Sequence, residues 1–344
     1  MKIALCSSFV PFIFGGARNI VEWLESMLKL HGHQVEHIYL PAIDTPDSLM
    51  PQILAYRWLR IENADRIICF RPPAYLIPHP NKVLWFIHHI RAFYDLWDTQ
   101  YRNFPDNGRN RMIRNVLREI DTQALRESRA IFTNSAVVSE RLRLFNNLES
   151  EILYPPIYNP EQFHCRGFND EVVYICRVEH HKRQHLLLEA LRYTTCPIKL
   201  RICGNTSNQN YVESLRAIIR DYRLENRVHF NLGWISEEQK VEYLADCLAA
   251  AYLPLDEDSY GYPSIEASHS GKPILTTTDA GGVMELVQHQ YNGLICEPNP
   301  ESVALGLDQL YNDRHLTEQM GQNALKRLEE LGINWDRVLS RLLA

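Results

Sequence analysis

The feature that most constrains this chain is a strand–helix alternation that runs twice, with a pair of prolines between the runs. Lys2–Cys6 reads as a strand leading into a Gly15-Gly16 loop, after which Ile20, Trp23, Leu24, Met27 and Leu28 recur at helical spacing. Gly32 ends that helix, and 35–40, 66–70, 83–87 and 130–133 read as further strands. Tyr154-Pro155-Pro156 halts the rhythm, because consecutive prolines continue neither a helix nor a central strand. It restarts with apolar runs at 172–175, 200–203, 228–230, 250–253 and 274–276, separated by amphipathic stretches such as Val212, Leu215, Ile218 and Ile219. Such alternation predicts parallel, doubly wound sheets, and 344 residues suit two of them. The expected fold class is α/β, with Rossmann-like domains at 1–155 and 156–333 and a cleft between them. In open α/β sheets ligands bind beyond the carboxyl ends of the strands, so that cleft is the expected site.

Composition narrows the function. Lys+Arg is 36 against Asp+Glu 42, a net charge of −6, which is too acidic for general nucleic-acid coating, so no nucleic-acid partner is expected. No stretch approaches the roughly 18 apolar residues of a membrane-spanning helix. The opening MKIALCSSFVPF lacks a small-residue cleavage site and reads as a strand rather than a signal peptide. The 8 cysteines are scattered singly without a CxxC pair, which predicts reduced thiols in a cytoplasmic protein and no zinc. There is no GxGxxG after the first strand and no GxxxxGK[ST], which argues against a dehydrogenase or a P-loop ATPase.

Two clusters carry chemistry. In the segment 256–267, Pro263 stands where it can open a helix, which would put Glu266 in the first turn and Glu257 and Asp258 in the loop before it. The free N–H groups of such a helix end offer a phosphate seat, and its carboxylates can take two hydrogen bonds from a vicinal diol. Ordinary acidic capping of a helix accounts for the same spacing equally well, and an acidic Mg²⁺ triplet at Asp256-Glu257-Asp258 is a weaker alternative. In the second cluster, Arg177 ends a strand and Lys182 precedes an apolar-periodic helix, so both cations would project from one strand-to-helix loop. A rigid fork and a mobile point charge suit a diphosphate, although most Lys and Arg are simply solvated.

Together these residues resemble the family 4 retaining glycosyltransferases of GT-B fold (glycosyl transferases group 1). The resemblance rests on Arg177-x4-Lys182, Asp258-x7-Glu266-Ala267, Gly271-Lys272-Pro273, the run 279–285 and Asn292-Gly293-Leu294. Gly15-Gly16, Gly32-His33-Gln34-Val35 and a terminal helix containing Trp335 match as well. The resemblance implies a GT-B architecture with an acceptor domain at 1–155, a donor domain at 156–333 and the helix 334–344 crossing back to the first. It implies that Glu266 holds the nucleotide ribose, that Asp258 holds sugar hydroxyls and that Arg177 and Lys182 hold the diphosphate. Around them, Gly16, Gly204, Asn205, Ile235, Ser264 and Ile265 fall on the nucleotide and diphosphate side, and Glu257, Ser259, Tyr260 and Gly261 on the sugar side. His88, at the end of the strand 83–87, takes the place of a histidine near donor sugar and acceptor, with His89 as its alternate.

Three departures bear on the sugar pocket. The first acid is Asp258 with Glu257 one place earlier, Pro263 lacks the N–H that similar proteins offer, and Cys176 replaces a glycine before the arginine. The implied function is a retaining, metal-independent transfer of a hexose, glucose or galactose first, from a nucleoside-diphosphate sugar, UDP-linked by expectation, to a hydroxyl of a glycan or lipid-linked oligosaccharide. No cofactor is expected beyond UDP-glucose or UDP-galactose as donor substrate. On the acceptor side stand Gly15, Arg91 and the arginines of 111–118, where Arg111, Arg114 and Arg118 share one helical face and Ile113, Val116, Leu117 and Ile120 the other. That face is expected to be solvated or to meet an anionic acceptor or peripherally an anionic membrane. The alternatives are a GT-B sugar-nucleotide epimerase and a non-catalytic nucleotide-sugar or glycan-binding relative.

Overall fold

The computed structural model describes residues 1–12, 15–206 and 208–344. The chain divides into two compact units, Met1–Pro155 with Ile333–Ala344, and Pro156–Gly332. Each is built on a six-stranded, all-parallel sheet, the form whose strands are covered on both faces and therefore read as near-continuous apolar runs.

The first unit runs β1 (Lys2–Phe9), α1 (Gly16–Leu30), β2 (Gln34–Pro41), α2 (Pro46–Trp58), β3 (Arg66–Cys69), β4 (Lys82–Phe86), α3 (Gly108–Arg126), β5 (Ala130–Thr133), α4 (Ala136–Asn146) and β6 (Glu151–Ile152). The second runs β7 (Glu171–Ile175), α5 (Gln184–Ala190), β8 (Lys199–Gly204), α6 (Gln209–Asp221), β9 (Val228–Leu232), α7 (Glu237–Asp246), β10 (Ala249–Ala251), α8 (Tyr262–His269), β11 (Ile274–Thr277), α9 (Val283–Leu286), β12 (Gly293–Cys296), α10 (Pro300–Asn312) and α11 (Arg314–Glu330). The chain then returns to the first unit as α12 (Trp335–Leu343).

In the first unit the strand order is β2-β1-β3-β4-β5-β6. One sheet face packs Leu49, Ile53 and Tyr56 of α2, Leu117 and Leu125 of α3, and Val138 and Leu142 of α4. The other packs Ile20, Leu24 and Leu28 of α1 with Trp335, Val338, Leu339 and Leu342 of α12. The returning helix is therefore part of this unit's core. It is capped by Asn334, whose side chain accepts from the Arg337 N–H, and held at its end by the Arg66 guanidinium, which donates to the carbonyls of Leu342 (2.6 Å) and Ala344 (2.9 Å).

In the second unit the order is β12-β11-β10-β7-β8-β9. Its first strand, β7, lies mid-sheet, with β8 and β9 on one side and β10, β11 and β12 on the other. The strand order reverses between β7 and β10, and the loops that leave those two strands flank the reversal. That is the topological switch point at which open α/β sheets place ligands. In the first unit the reversal falls between β1 and β3.

Candidate active site

The β7–α5 loop and the β10–α8 loop meet at the second unit's switch point. Lys182 is buried; its Nζ pairs with the Glu257 carboxylate and bonds the Tyr252 hydroxyl at 2.9 Å. The Tyr252 hydroxyl is also 3.2 Å from Glu257 Oε2, so the three side chains close a network. Burial pushes the Glu257 pKa up, but the Lys182 charge, with His181 behind it, prevails and holds it below the usual carboxylate range. Arg177, five residues before Lys182, behaves differently. Its side chain is exposed, and among the described residues its guanidinium makes no hydrogen bond or ion pair. Of the two cations, one is committed to the protein and the other is uncommitted.

Backbone packing sets the loop that carries Glu257. Asp256 N donates to Asp279 O (3.0 Å) and Gly282 N to Glu257 O (2.8 Å), tying the acidic loop to the segment before α9. Gly281 lies at φ +65°, and a Cβ there would sit 2.4 Å from the Glu257 carbonyl oxygen. Gly204, at φ +154°, lets the end of β8 press against the backbone of Cys176 in the same way: a Cβ would fall 1.8 Å from the Cys176 oxygen. Arg183 clamps the ends of β10 and β11, bridging Asp279 (2.8 Å), the carbonyls of Leu253 and Pro254, and Thr277.

The helix α8 begins after Gly261 with Pro263 at its second position. Glu266 is its fifth residue, so it stands in the second turn rather than the first. Its carboxylate is buried and Oε1 pairs with Lys240 of α7 at 2.7 Å, while Oε2 has no partner among the described residues. Burial raises the Glu266 pKa, and Lys240 opposes that rise. The phosphate seat at this helix end is poorer than the sequence suggests. Pro263 has no N–H, the Ser264 N–H turns back to the Gly261 carbonyl (3.1 Å), and the Ser264 hydroxyl is buried without a partner. The side chains of Tyr260 and Ile265 are also buried, so they shape the loop from beneath. Asp258, Ser259 and Gly261 are half-buried and Asn205 exposed, and Ile235 follows the exposed Trp234 beyond β9.

In the first unit, β4 delivers His88 and His89. His89 belongs to the core: it is 1% exposed, bonds Asn146 at 2.8 Å and packs among Phe86, Tyr94 and Phe145. His88 is half-buried, and its Nδ1 lies 2.5 Å from the His89 carbonyl. A carbonyl only accepts, so Nδ1 carries the proton and Nε2 is left as a lone pair. Burial, with the Arg71 charge second, lowers the His88 pKa to about 4. Gly15 and Gly16 are exposed at the start of α1.

Residues 166–327 match the family model described as "Glycosyl transferases group 1". The second unit is a glycosyl transferases group 1 domain. The chain is 24% identical over 305 residues to human alpha-1,3/1,6-mannosyltransferase ALG2, covering 79% of this chain and 71% of that protein. It is 26% identical over 156 residues to the D-rhamnosyltransferase WbpZ of Pseudomonas aeruginosa, 45% of this chain and 39% of that one. Among solved structures, Anabaena HepE in complex with UDP and glucose superimposes with a TM-score of 0.71 at 18% identity, covering 99% of both chains. Sucrose-phosphate synthase of Thermosynechococcus elongatus gives a TM-score of 0.77 at 16% identity, over 99% of this chain and 97% of that one. These structural likenesses show the fold, two doubly wound α/β units of the GT-B class.

In the first unit the arginine face of α3 is neither uniform nor free. Arg111 bonds Asp106 (2.6 Å), Arg114 donates to the Phe93 carbonyl (3.0 Å) and stacks on Trp97, and Arg118 stacks on Tyr94 and Phe145. On the expected apolar face Leu117 is buried, but Val116 is 38% exposed. Arg91 pairs with Asp95 at 2.7 Å. Sequence reasoning missed Lys240, Tyr252 and Arg183, whose partners lie 26, 70 and 96 residues away along the chain. Among the described residues no helix is long and apolar enough to cross a membrane, and no three His, Cys, Asp or Glu side chains are grouped to hold a metal ion.

Proposed function

We propose that this glycosyltransferase moves a hexose, glucose or galactose, with retention from a UDP-sugar to a hydroxyl of a glycan or lipid-linked oligosaccharide acceptor. The observation that carries this reading is the division of labour at the second unit's switch point: an uncommitted Arg177 beside a buried Lys182–Glu257 pair. A diphosphate arriving there meets one cation ready to form a bidentate pair and a second whose proton donors can be shared. Glu266 offers its unpaired Oε2 to a ribose hydroxyl. Glu257, rather than Asp258, is the acid that the network fixes, and we assign it to the donor-sugar hydroxyls through its remaining oxygen.

In the proposed reaction the bond from the anomeric carbon to the phosphate oxygen breaks, and the acceptor oxygen bonds to that carbon on the same face. The acceptor proton passes to the leaving phosphate oxygen. Negative charge grows on the diphosphate as the bond breaks, and Arg177 and Lys182 stabilise it without a metal. His88 is neutral at ordinary pH and is assigned to hydroxyl contacts, not to a charge. The UDP found with Anabaena HepE supports a uracil donor. The free state of the 8 cysteines supports a reducing, cytoplasmic setting.

The test is a calorimetric panel of UDP, GDP and ADP followed by turnover. Tightest binding of UDP, with UDP release from UDP-glucose or UDP-galactose that requires an acceptor, is the expected result. Equal, weak binding of all three would overturn the donor assignment, and conversion of the UDP-sugar into an epimeric UDP-sugar without UDP release would point to an epimerase.

A further inference from the structure

The first unit holds a second uncommitted cation. Arg71 stands two residues beyond β3, on the chain that leaves this sheet's own switch point between β1 and β3. Ser8 of β1 donates to the Pro72 carbonyl at 2.6 Å, and the Ala74 N–H donates to the Arg71 carbonyl at 2.9 Å, so the backbone here is fixed. The guanidinium is not. Its Nε is buried with no hydrogen-bond partner, and among the described residues the side chain makes no salt bridge. Asp44, in the loop after β2, is the negative group that acts on it, while the Tyr56 hydroxyl is neutral and donates away from it to the Leu40 carbonyl at 3.0 Å. Burial dominates and lowers the pKa of the Arg71 guanidinium.

Burying a guanidinium is costly, and buried charges are ordinarily paired. Among the described residues no partner for it is found, and three features suggest what the partner is. The position is the carboxyl end of a parallel sheet at a strand-order reversal, where such sheets receive ligands. The next strand end presents His88, whose Nε2 lone pair has no partner among the described residues and can accept a hydrogen bond from a hydroxyl. A cationic fork beside a neutral acceptor matches a molecule that carries an anion and a hydroxyl close together.

We propose that Arg71 and His88 form an acceptor-binding site in the first unit for a phosphate-bearing molecule, with the phosphate on Arg71 and a neighbouring hydroxyl on His88 Nε2. The proposal rests on the transferase reading for the word acceptor, though not for the binding itself. Arg71 is thereby a specificity-determining residue: it selects a charged acceptor over a neutral glycan.

The experiment uses the full chain saturated with UDP, so that the donor phosphates are already occupied, and follows thermal unfolding while inorganic phosphate is added. Wild type and the surface control Arg60→Gln are expected to gain stability together. Arg71→Met is expected to unfold no lower than wild type without phosphate, since it removes a half-buried charge that has no partner among the described residues, and to lose at least about tenfold in phosphate affinity. Arg71→Lys keeps the charge without the fork and should fall between them. A ligand-free loss of stability in Arg71→Met, with phosphate affinity intact, would make Arg71 structural and overturn the proposal. Displacement of phosphate by glucose 6-phosphate or by farnesyl diphosphate separates a soluble phosphosugar from a lipid-linked acceptor, and displacement by neither overturns the acceptor assignment. If UDP itself fails to bind, the transferase reading falls, while a phosphate response that depends on Arg71 still stands.

Discussion

Removing Lys240 tests the electrostatics of the donor unit directly. Its side chain is 13% exposed and that of Glu266 9%, with 2.7 Å between them. Lys240→Met would leave Glu266 as a buried carboxylate without its cation, a change that costs about 3 kcal/mol for pairs of this burial. Lys240 also pairs with Glu237, but that carboxylate is 54% exposed and adds little. The loss depends on pH in a calculable way. A carboxyl whose folded pKa is raised favours folding when protonated, so its contribution is full below the unfolded pKa and is lost as pH rises through the folded value. Glu266 is already raised by burial, and the variant raises it further. Protonating an ordinary glutamate, of pKa about 4.3, costs about 1.36 kcal/mol per unit, or about 4 kcal/mol near pH 7.5 but only about 1 kcal/mol near pH 5. The variant should therefore lose about 3 kcal/mol near pH 7.5 and no more than about 1 kcal/mol near pH 5. Hydrogen exchange of the β10 and β11 amides, measured in the full chain and corrected for intrinsic rates, reads this opening free energy. A loss of the same size at both pH values would refute the reasoning, because a packing defect has no reason to follow the protonation of one carboxyl.

Arg177→Ala should lower turnover by about 10²-fold or more with the melting temperature unchanged, since the guanidinium is exposed and has no hydrogen bond or ion pair among the described residues; unaltered turnover would remove Arg177 from the mechanism. Gly281→Ala should destabilise the chain by about 2 kcal/mol and weaken UDP-sugar binding in calorimetry, because both its φ of +65° and the Glu257 backbone resist a Cβ. For His88, whose folded pKa of about 4 is depressed, the stability contribution is full above the unfolded value of about 6.5 and declines as pH falls toward 4. The pH–rate profile should accordingly carry no His88 limb near 6.5, and a limb there that His88→Gln abolishes would contradict the assignment.

Much of the fold is legible because parallel strands buried on both faces leave unbroken apolar runs, as in Ile67-Ile68-Cys69 and Leu275 beside Ile274. What escapes is short or peripheral. The strand β6 has 2 residues, and β12 opens with Gly293, a residue that argues against a strand by itself. The clusters at 177–182 and 256–266 were legible as motifs, but their pairing was not. Nothing in the local pattern distinguishes Glu257 from Asp258 as the partner of Lys182. The choice is made by Gly281 and Gly282, which dock the loop in one register against residues 279–282. His88 and His89 are equally ambiguous as a dipeptide. They are resolved by Asn146 and Phe145, brought in by α4 from far along the chain. The arginines of α3 looked like a single charged face because their aromatic partners Trp97, Tyr94 and Phe145 lie on other elements.

That pattern gives a criterion for separating binding cations from structural ones. Arg66, Arg183, Arg201 and Lys240 each meet a carbonyl or carboxylate of the chain, and each can be explained by what it holds in place. Lys182 is paired as well, but its partner Glu257 sits at a strand-order reversal, so its pairing positions an acid while keeping the charge local. Arg177 and Arg71 meet no partner among the described residues, and each follows a strand that borders its own sheet's reversal. One is exposed and costs the fold nothing; the other is partly buried and destabilises it. A desolvated cation that the chain leaves unpaired is more informative than an exposed one, because solvent cannot replace the missing counter-charge and a ligand can.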